Sequence, residues 1–292
     1  MDRHNLTPLT VLSDAVTVCE YQGLKIVRVI HDTAEAGISL HGGHLIWFKP
    51  AGENDVIWLS EKAEFDPAKA IRGGIPVCWP WFGKAGNPSH GFARTSKWSL
   101  KEHRENEHGV IVALELTDSE ATRAVWPHAF HNLLTFEIGA ELNVTLTSTN
   151  TDSSAWDYSG ALHTYFDIAD IRHAQITGMG PSYLDSTQGG LECQGEEVLT
   201  FTAETDRVYT QPDENVVITD VNGQRKINVS NNGHNAAVIW NPWQELSISM
   251  GDMADNSFET MVCVESTIRS DRPITLQPGE SHSLSTRVAT QN

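Results

Sequence analysis

Two side chains able to move protons stand in otherwise apolar company. His163 lies in ALHTYFDI, residues 161–168, and Glu265 lies in ETMVCVEST, residues 259–267. On extended backbone, alternation places His163 and Tyr165 on one face, with Leu162, Thr164 and Phe166 on the other. The same alternation sends Met261, Cys263 and Glu265 one way and Val262 and Val264 the other. A histidine titrates near neutrality, which suits a general acid, although a histidine among apolar neighbours is more often a satisfied core residue. Burying a carboxylate without a partner is costly, so Glu265 must meet water at a strand end, be paired, or be held as a base. Asp206, in ETDRVYT, poses the same question, with Arg207 beside it offering an ion pair.

A second constellation is IRGGIPVCWPWFG, residues 71–83, continued by KAGNPSHGFAR up to residue 94. Arg72 and Arg94 each sit beside glycines, at the two ends of a loop-like segment that also carries Lys84 and His90. Glycine lets backbone approach a ligand closely, and arginine presents a planar fork of donors suited to phosphate or carboxylate. Two such arginines would clamp a phosphate, each contact contributing about 1.5–3 kcal/mol. Trp79, Trp81 and Phe82 supply flat faces on which a sugar ring would rest. The competing reading is a bulge with buried aromatics and two surface arginines in ion pairs.

Other chemistry is excluded by what the chain lacks. There is no GxSxG elbow, no GxxxxGK[ST] phosphate loop and no HExxH, and Gly178-Met179-Gly180 is followed by proline. The pairs His41/His44 and His128/His131 have no ligand-spaced Cys, Asp or Glu and read as surface or turn histidines, so no metal is expected.

Positioning these groups is a task for strands. Leu142, Val144 and Leu146 alternate with Asn143, Thr145 and Thr147, and Val110, Val112 and Leu114 behave likewise. Segments 24–30, 133–138, 215–220, 225–230, 236–240, 245–250, 260–265 and 283–289 are further strand candidates, separated by turn signals such as Asn222-Gly223, which fits a type I′ hairpin. Residues 60–70, with Ser60 as cap, are expected to form one or two helical turns before Pro67 interrupts. No linker or repeat divides the 292 residues. The expectation is one large antiparallel β-sandwich over residues 1–292, all-β with few short helices, with residues 1–10 loosely held.

Composition bounds the partners. With 38 acidic and 20 basic residues the formal charge is −18, which disfavours nucleic acid and anionic lipid surfaces. An anionic small ligand would then need a local arginine or lysine cluster. No signal peptide and no membrane span is apparent, and the four cysteines form no CxxC pair, so the expected compartment is the cytoplasm.

Taken in order, RGGIPVCWPWFG, SHGFAR, LHTYFDI, ETDRVY, VIWNPW and MVCVE resemble the glucose-6-phosphate 1-epimerases, hexose-6-phosphate mutarotases of the galactose-mutarotase-like superfamily. The resemblance runs from about residue 40 to the C-terminus. It implies a supersandwich fold, no metal and no organic cofactor, and a small sugar phosphate as substrate; separately, a monomer is expected. It implies His163 as catalytic acid and Glu265 as catalytic base, Arg72 and Arg94 at the phosphate, and His90, Asp206 and Trp240 lining the sugar site. The alternatives are an aldose 1-epimerase acting on unphosphorylated sugar and a non-catalytic carbohydrate-binding sandwich.

Overall fold

A computed structural model describes residues 4–291. The expected all-β architecture is present: every strand pairing is antiparallel, and the described residues contain two short α-helices, Glu120–Val125 and Trp243–Ser249. Neither is long and apolar enough to cross a membrane. The N-terminal strands Pro8–Val11, Val16–Tyr21, Leu24–His31, Ala34–Ser39 and His44–Pro50 form a five-stranded meander. Of the first ten residues, 1–3 lie outside the described region. Leu6 is buried, and its carbonyl accepts a 2.7 Å hydrogen bond from Arg28 Nη1.

Two eight-stranded sheets follow. One includes Gly109–Thr117, Phe130–Gly139, Leu142–Asn150 and Ser281–Gln291. The strand Leu142–Asn150 buries every second residue, so its alternation reflects a face turned to the core. The other sheet carries the chemistry. Its centre is Met261–Ile268, flanked on one side by Ala236–Asn241 and then Thr205–Tyr209, and on the other by Gly160–Leu162 and Tyr165–Asp167. Val262, Val264, Ile239 and Leu162 join the main core, while Met261 and Cys263 belong to a separate cluster with Trp58 and Tyr165. The split along Met261–Ile268 is the one alternation predicts.

Three local expectations are corrected. Residues 245–249 belong to a helix rather than a strand, with Met250 as its C-cap. The Asn241 side chain accepts from the Trp243 N–H at 2.9 Å, and the spacing of Leu246 and Ile248 that suggests a strand leaves Ile248 exposed. Residues 60–70 form turns rather than a helix. Ser60 does accept from the Lys62 N–H at 3.2 Å, but its hydroxyl donates to the Asp252 carbonyl, tying the segment to a distant loop. The 221–224 hairpin exists, yet its turn is not type I′. Asp220 accepts from the Gly223 N–H at 3.0 Å, and the positive φ falls on Gln224 instead of the Asn-Gly pair.

Candidate active site

The register of the second sheet brings the proton-moving residues together. Leu162 lies opposite Ser266 and Tyr165 opposite Cys263. Both pairings belong to one register, which therefore sets His163 against Glu265. Nε2 of His163 stands 3.3 Å from Oε1 of Glu265. The neighbouring strand continues the rows, with Val238 opposite Glu265 and Trp240 opposite Cys263, and Asp206 opposite Trp240 one strand further. Directly opposed residues share a face. Tyr165, Cys263, Trp240 and Asp206 thus cross the sheet as one row, beside a row holding Glu265.

This face lines a cavity of about 900 Å³, within the size range of small-molecule sites. All seven residues singled out in the sequence (His163, Glu265, Arg72, His90, Arg94, Asp206 and Trp240) reach its wall, as do Lys84 and Phe82. Trp79 does not. It is fully buried, with its ring against Phe92, Trp126 and Phe130, so it builds core rather than a sugar platform. Trp81 packs on that core and donates to the Pro88 carbonyl at 2.7 Å.

The RGG segment is shaped by His44, expected from the sequence to be a surface or turn histidine. His44 is wholly buried and donates through Nε2 to the Gly73 carbonyl at 2.7 Å. Burial holds its pKa down to about 3. His41, also buried, bonds through Nε2 to the Lys69 carbonyl at 2.6 Å. At Gly74 the φ is +69°, and a Cβ would stand 2.3 Å from the Leu45 carbonyl oxygen, so only glycine fits. Gly74 in turn donates to the Trp58 carbonyl and accepts from the Tyr165 N–H. Arg72 is thereby delivered to the cavity, where Nη1 donates to the Tyr165 hydroxyl at 3.0 Å and Nε donates to Asp252 Oδ2 at 3.1 Å.

Tyr165 and Asp252 were not singled out in the sequence. Tyr165 stacks on His163 at 4.9 Å between ring centroids and 16° between planes, with Trp58 stacked on its other side. Its signal was present, two residues from His163 on the same face. Asp252 sits in a turn with no pattern to mark it.

His90, whose ring lies 6.0 Å from that of His163, closes the intervening loop with Gly83. The His90 N–H donates to the Gly83 carbonyl at 2.7 Å, and the Gly83 N–H donates to His90 Nδ1 at 3.3 Å. Burial first, then Arg94 and Arg72, hold the His90 pKa down to about 4, so the ring is neutral and Nε2 carries its proton as a donor. Arg94 donates from Nη2 to the Ser89 carbonyl at 2.9 Å and makes no ion pair with a carboxylate among the described residues. The Asp206 carboxyl is raised by burial, against the hydrogen bond from Ser186.

The His163–Glu265 pair itself is nearly sealed. Burial, with help from His90, Arg94 and Arg72, drives the His163 imidazole well below its usual range. Burial and the nearby Asp206 drive the Glu265 carboxyl well above its own. Both shifts oppose the imidazolium–carboxylate pair that mutual attraction alone would favour. Oε2 of Glu265 has no hydrogen-bond partner among the described residues, and Glu265 lines a cavity wide enough for a ligand.

A β-sandwich with this cavity defines a class of sugar epimerases, and the comparisons agree. Residues 25–289 match the family described as aldose 1-epimerase, and the chain belongs to that family. A protein of Escherichia coli (strain K12) named "Putative glucose-6-phosphate 1-epimerase" is 41% identical over 271 residues, covering 91% of each chain. A Cenchrus ciliaris protein of the same name is 36% identical, covering 84% of this chain and 78% of its own. The crystal structure of "a putative mutarotase (YeaD)" from Salmonella typhimurium superposes with a TM-score of 0.94 at 36% identity, covering 98% of this chain and 97% of that one. A galactose mutarotase-like protein from Clostridium acetobutylicum shares the fold alone, with a TM-score of 0.73 at 15% identity over 95% and 98% of the two chains. The family and fold inferred from the six motifs are thus borne out.

Proposed function

We propose that the chain is a hexose-6-phosphate mutarotase that interconverts the α and β anomers of glucose 6-phosphate. The observation that carries the reading is the contact between His163 and Glu265 on the wall of a cavity that Arg72 and Arg94 also line. The names of the relatives supply the phosphorylated substrate, and Arg94, which has no carboxylate partner among the described residues of a chain of charge −18, supports an anion in the cavity.

A cyclic hexose is a hemiacetal, so exchange of its anomers needs only proton transfers and one C–O cleavage. Glu265 takes the proton of the C1 hydroxyl while His163 gives one to the ring oxygen. The bond from C1 to the ring oxygen breaks, the aldehyde turns about C1–C2, and reclosure with reversed transfers gives the other anomer. The reactive form is the one with the proton on His163 and Glu265 ionised, 3.3 Å apart. The neutral pair and the ion pair hold the same number of protons and carry no net charge, so substrate can select the reactive one without exchanging a proton with solvent. Each positioned acid or base contributes about 10²–10⁴-fold. His90 Nε2 is a donor and Asp206 an acceptor for ring hydroxyls, with Trp240 as an apolar wall. Phosphate held by Arg94 and Arg72 anchors the ring far from C1. All four cysteines are free, which fits a cytoplasmic setting.

The test is anomerisation of glucose and glucose 6-phosphate by wild type and Arg94→Ala. A wild-type kcat/KM favouring the phosphorylated sugar, with KM for it about 10–100-fold higher in the variant and glucose turnover unchanged, is the expected result. Equal kcat/KM for both sugars would point to an aldose 1-epimerase for unphosphorylated substrate. Sugar binding with no anomerisation above background would point to a binding module.

A further inference from the structure

Arg72 does not meet the cavity as a free cation. Its Nε donates to Asp252 Oδ2 at 3.1 Å and its Nη1 to the Tyr165 hydroxyl at 3.0 Å, and both members of the ion pair are about one-quarter exposed. Asp252 lines the same cavity as Arg72, Arg94 and Lys84. The loop bearing it is held by the Ser60 hydroxyl, which donates to the Asp252 carbonyl at 2.7 Å, and by the Met253 N–H, which donates to Met250. Its carboxylate is therefore fixed beside the guanidinium rather than free to swing into solvent.

Resting on the phosphate reading above, we infer that Asp252 is a specificity-determining residue: it shares Arg72 with the incoming phosphate and, as a fixed like charge, weakens anion binding at that end of the cavity. Two consequences follow from the contacts. A dianion approaching Arg72 finds Nε occupied and must use the remaining N–H groups, while Arg94, with no carboxylate partner among the described residues, takes the larger share. Neutral sugars, which place no charge at that end, are indifferent to Asp252. A carboxylate within a few ångströms of a phosphate in a partly solvated site opposes it by an amount that translates into roughly a fivefold to tenfold change in affinity. The residue thus moderates retention of phosphorylated product as well as capture of substrate. Arg72 is left oriented by Tyr165 when Asp252 is neutralised, so its direction into the cavity persists.

The experiment compares wild type, Asp252→Asn and Asp252→Glu. The readouts are kcat and KM for glucose 6-phosphate, kcat/KM for glucose, and inhibition of glucose turnover by inorganic phosphate. The expected result is that Asp252→Asn lowers both KM for glucose 6-phosphate and the inhibition constant for phosphate about fivefold, leaves glucose kcat/KM within twofold, and that Asp252→Glu restores wild-type values. A selective rise in these two constants would show that Asp252 only orients Arg72 and would overturn the inference. Unchanged constants, with wild type still preferring the phosphorylated sugar, would overturn it while sparing the phosphate reading. Wild type with no such preference would remove both. If Asp252→Asn lowers turnover of both sugars together with its melting temperature, the role is structural and the inference fails.

Discussion

Tyr165 lies nearly parallel to His163, and the same tyrosine accepts a hydrogen bond from Arg72. One side chain therefore links His163 to Arg72 along the cavity wall. The ring fixes the imidazole plane, and burial keeps the phenol neutral by pushing its pKa above the usual range. Tyr165→Phe retains the stack and is expected to keep kcat within about threefold while raising KM for glucose 6-phosphate. Tyr165→Leu removes the stack and is expected to lower kcat about 10–100-fold, because small misplacement of a catalytic group is costly. Steady-state anomerisation kinetics on the two variants separates these outcomes; equal kcat losses would deny the ring its orienting role.

Glu265 sets function against stability. Its folded pKa lies above its unfolded value, so whatever stability it contributes is full below about pH 4.5 and is lost as pH rises toward the folded pKa. At neutral pH the native acid is therefore a liability that glutamine lacks. Glu265→Gln is expected to abolish about 10²–10⁴ of kcat and yet to melt about 2–4 °C higher at pH 7.5. The gain should shrink toward pH 4.5. Calorimetry at both pH values checks the sign, and a variant less stable at pH 7.5 would refute it.

Gly74 is where backbone, not side chain, limits the site. Gly74→Ala must force a Cβ against the Leu45 carbonyl in a left-handed conformation. A loss of about 2–4 kcal/mol is expected, measured as a shift in urea midpoint. Gly23→Ala is the control: its φ is also positive, at +86°, but nothing lies within 4 Å, so strain alone should cost about 1 kcal/mol. Similar losses in the two variants would show that crowding at Gly74 is unimportant.

His44 couples the cavity floor to acid. Its folded pKa of about 3 lies below the unfolded 6.5, so its contribution is full above pH 6.5 and is lost as pH falls toward 3. At pH 5 the loss amounts to about 2 kcal/mol. His44→Gln removes this titration, so its stability should decline less than that of wild type between pH 7 and pH 5. Parallel declines in denaturant titrations at the two pH values would exclude the assignment.

The site was more legible than the scaffold that holds it. His163 and Glu265 are visible because each interrupts an apolar row, and Arg72 and Arg94 because glycine and arginine adjoin. His44 was hidden by its type: a histidine in a glycine-rich stretch reads as a turn residue, and only the close approach of the Gly73 carbonyl reveals its burial. Asp252 acts through a contact 180 residues distant in sequence, which no local pattern records. Among the strands, Leu142–Asn150 announces itself by alternation, whereas His44–Pro50 does not. Its residues face two cores, with Leu45 and Phe48 in one and Ile46 and Trp47 in the other, so the apolar run is continuous. The helix at Trp243–Ser249 was misread because six residues of mixed polarity satisfy either period.

The reciprocal hydrogen bonds between Gly83 and His90 have a practical corollary. They staple the base of a hairpin-like excursion, so the outer residues can be altered while His90 keeps its place. Ala85 is exposed beside Lys84, which lines the cavity. A cysteine introduced there and coupled to an environment-sensitive dye would hang at the entrance and change its emission as sugar comes and goes, turning the protein into an optical reporter of its own occupancy.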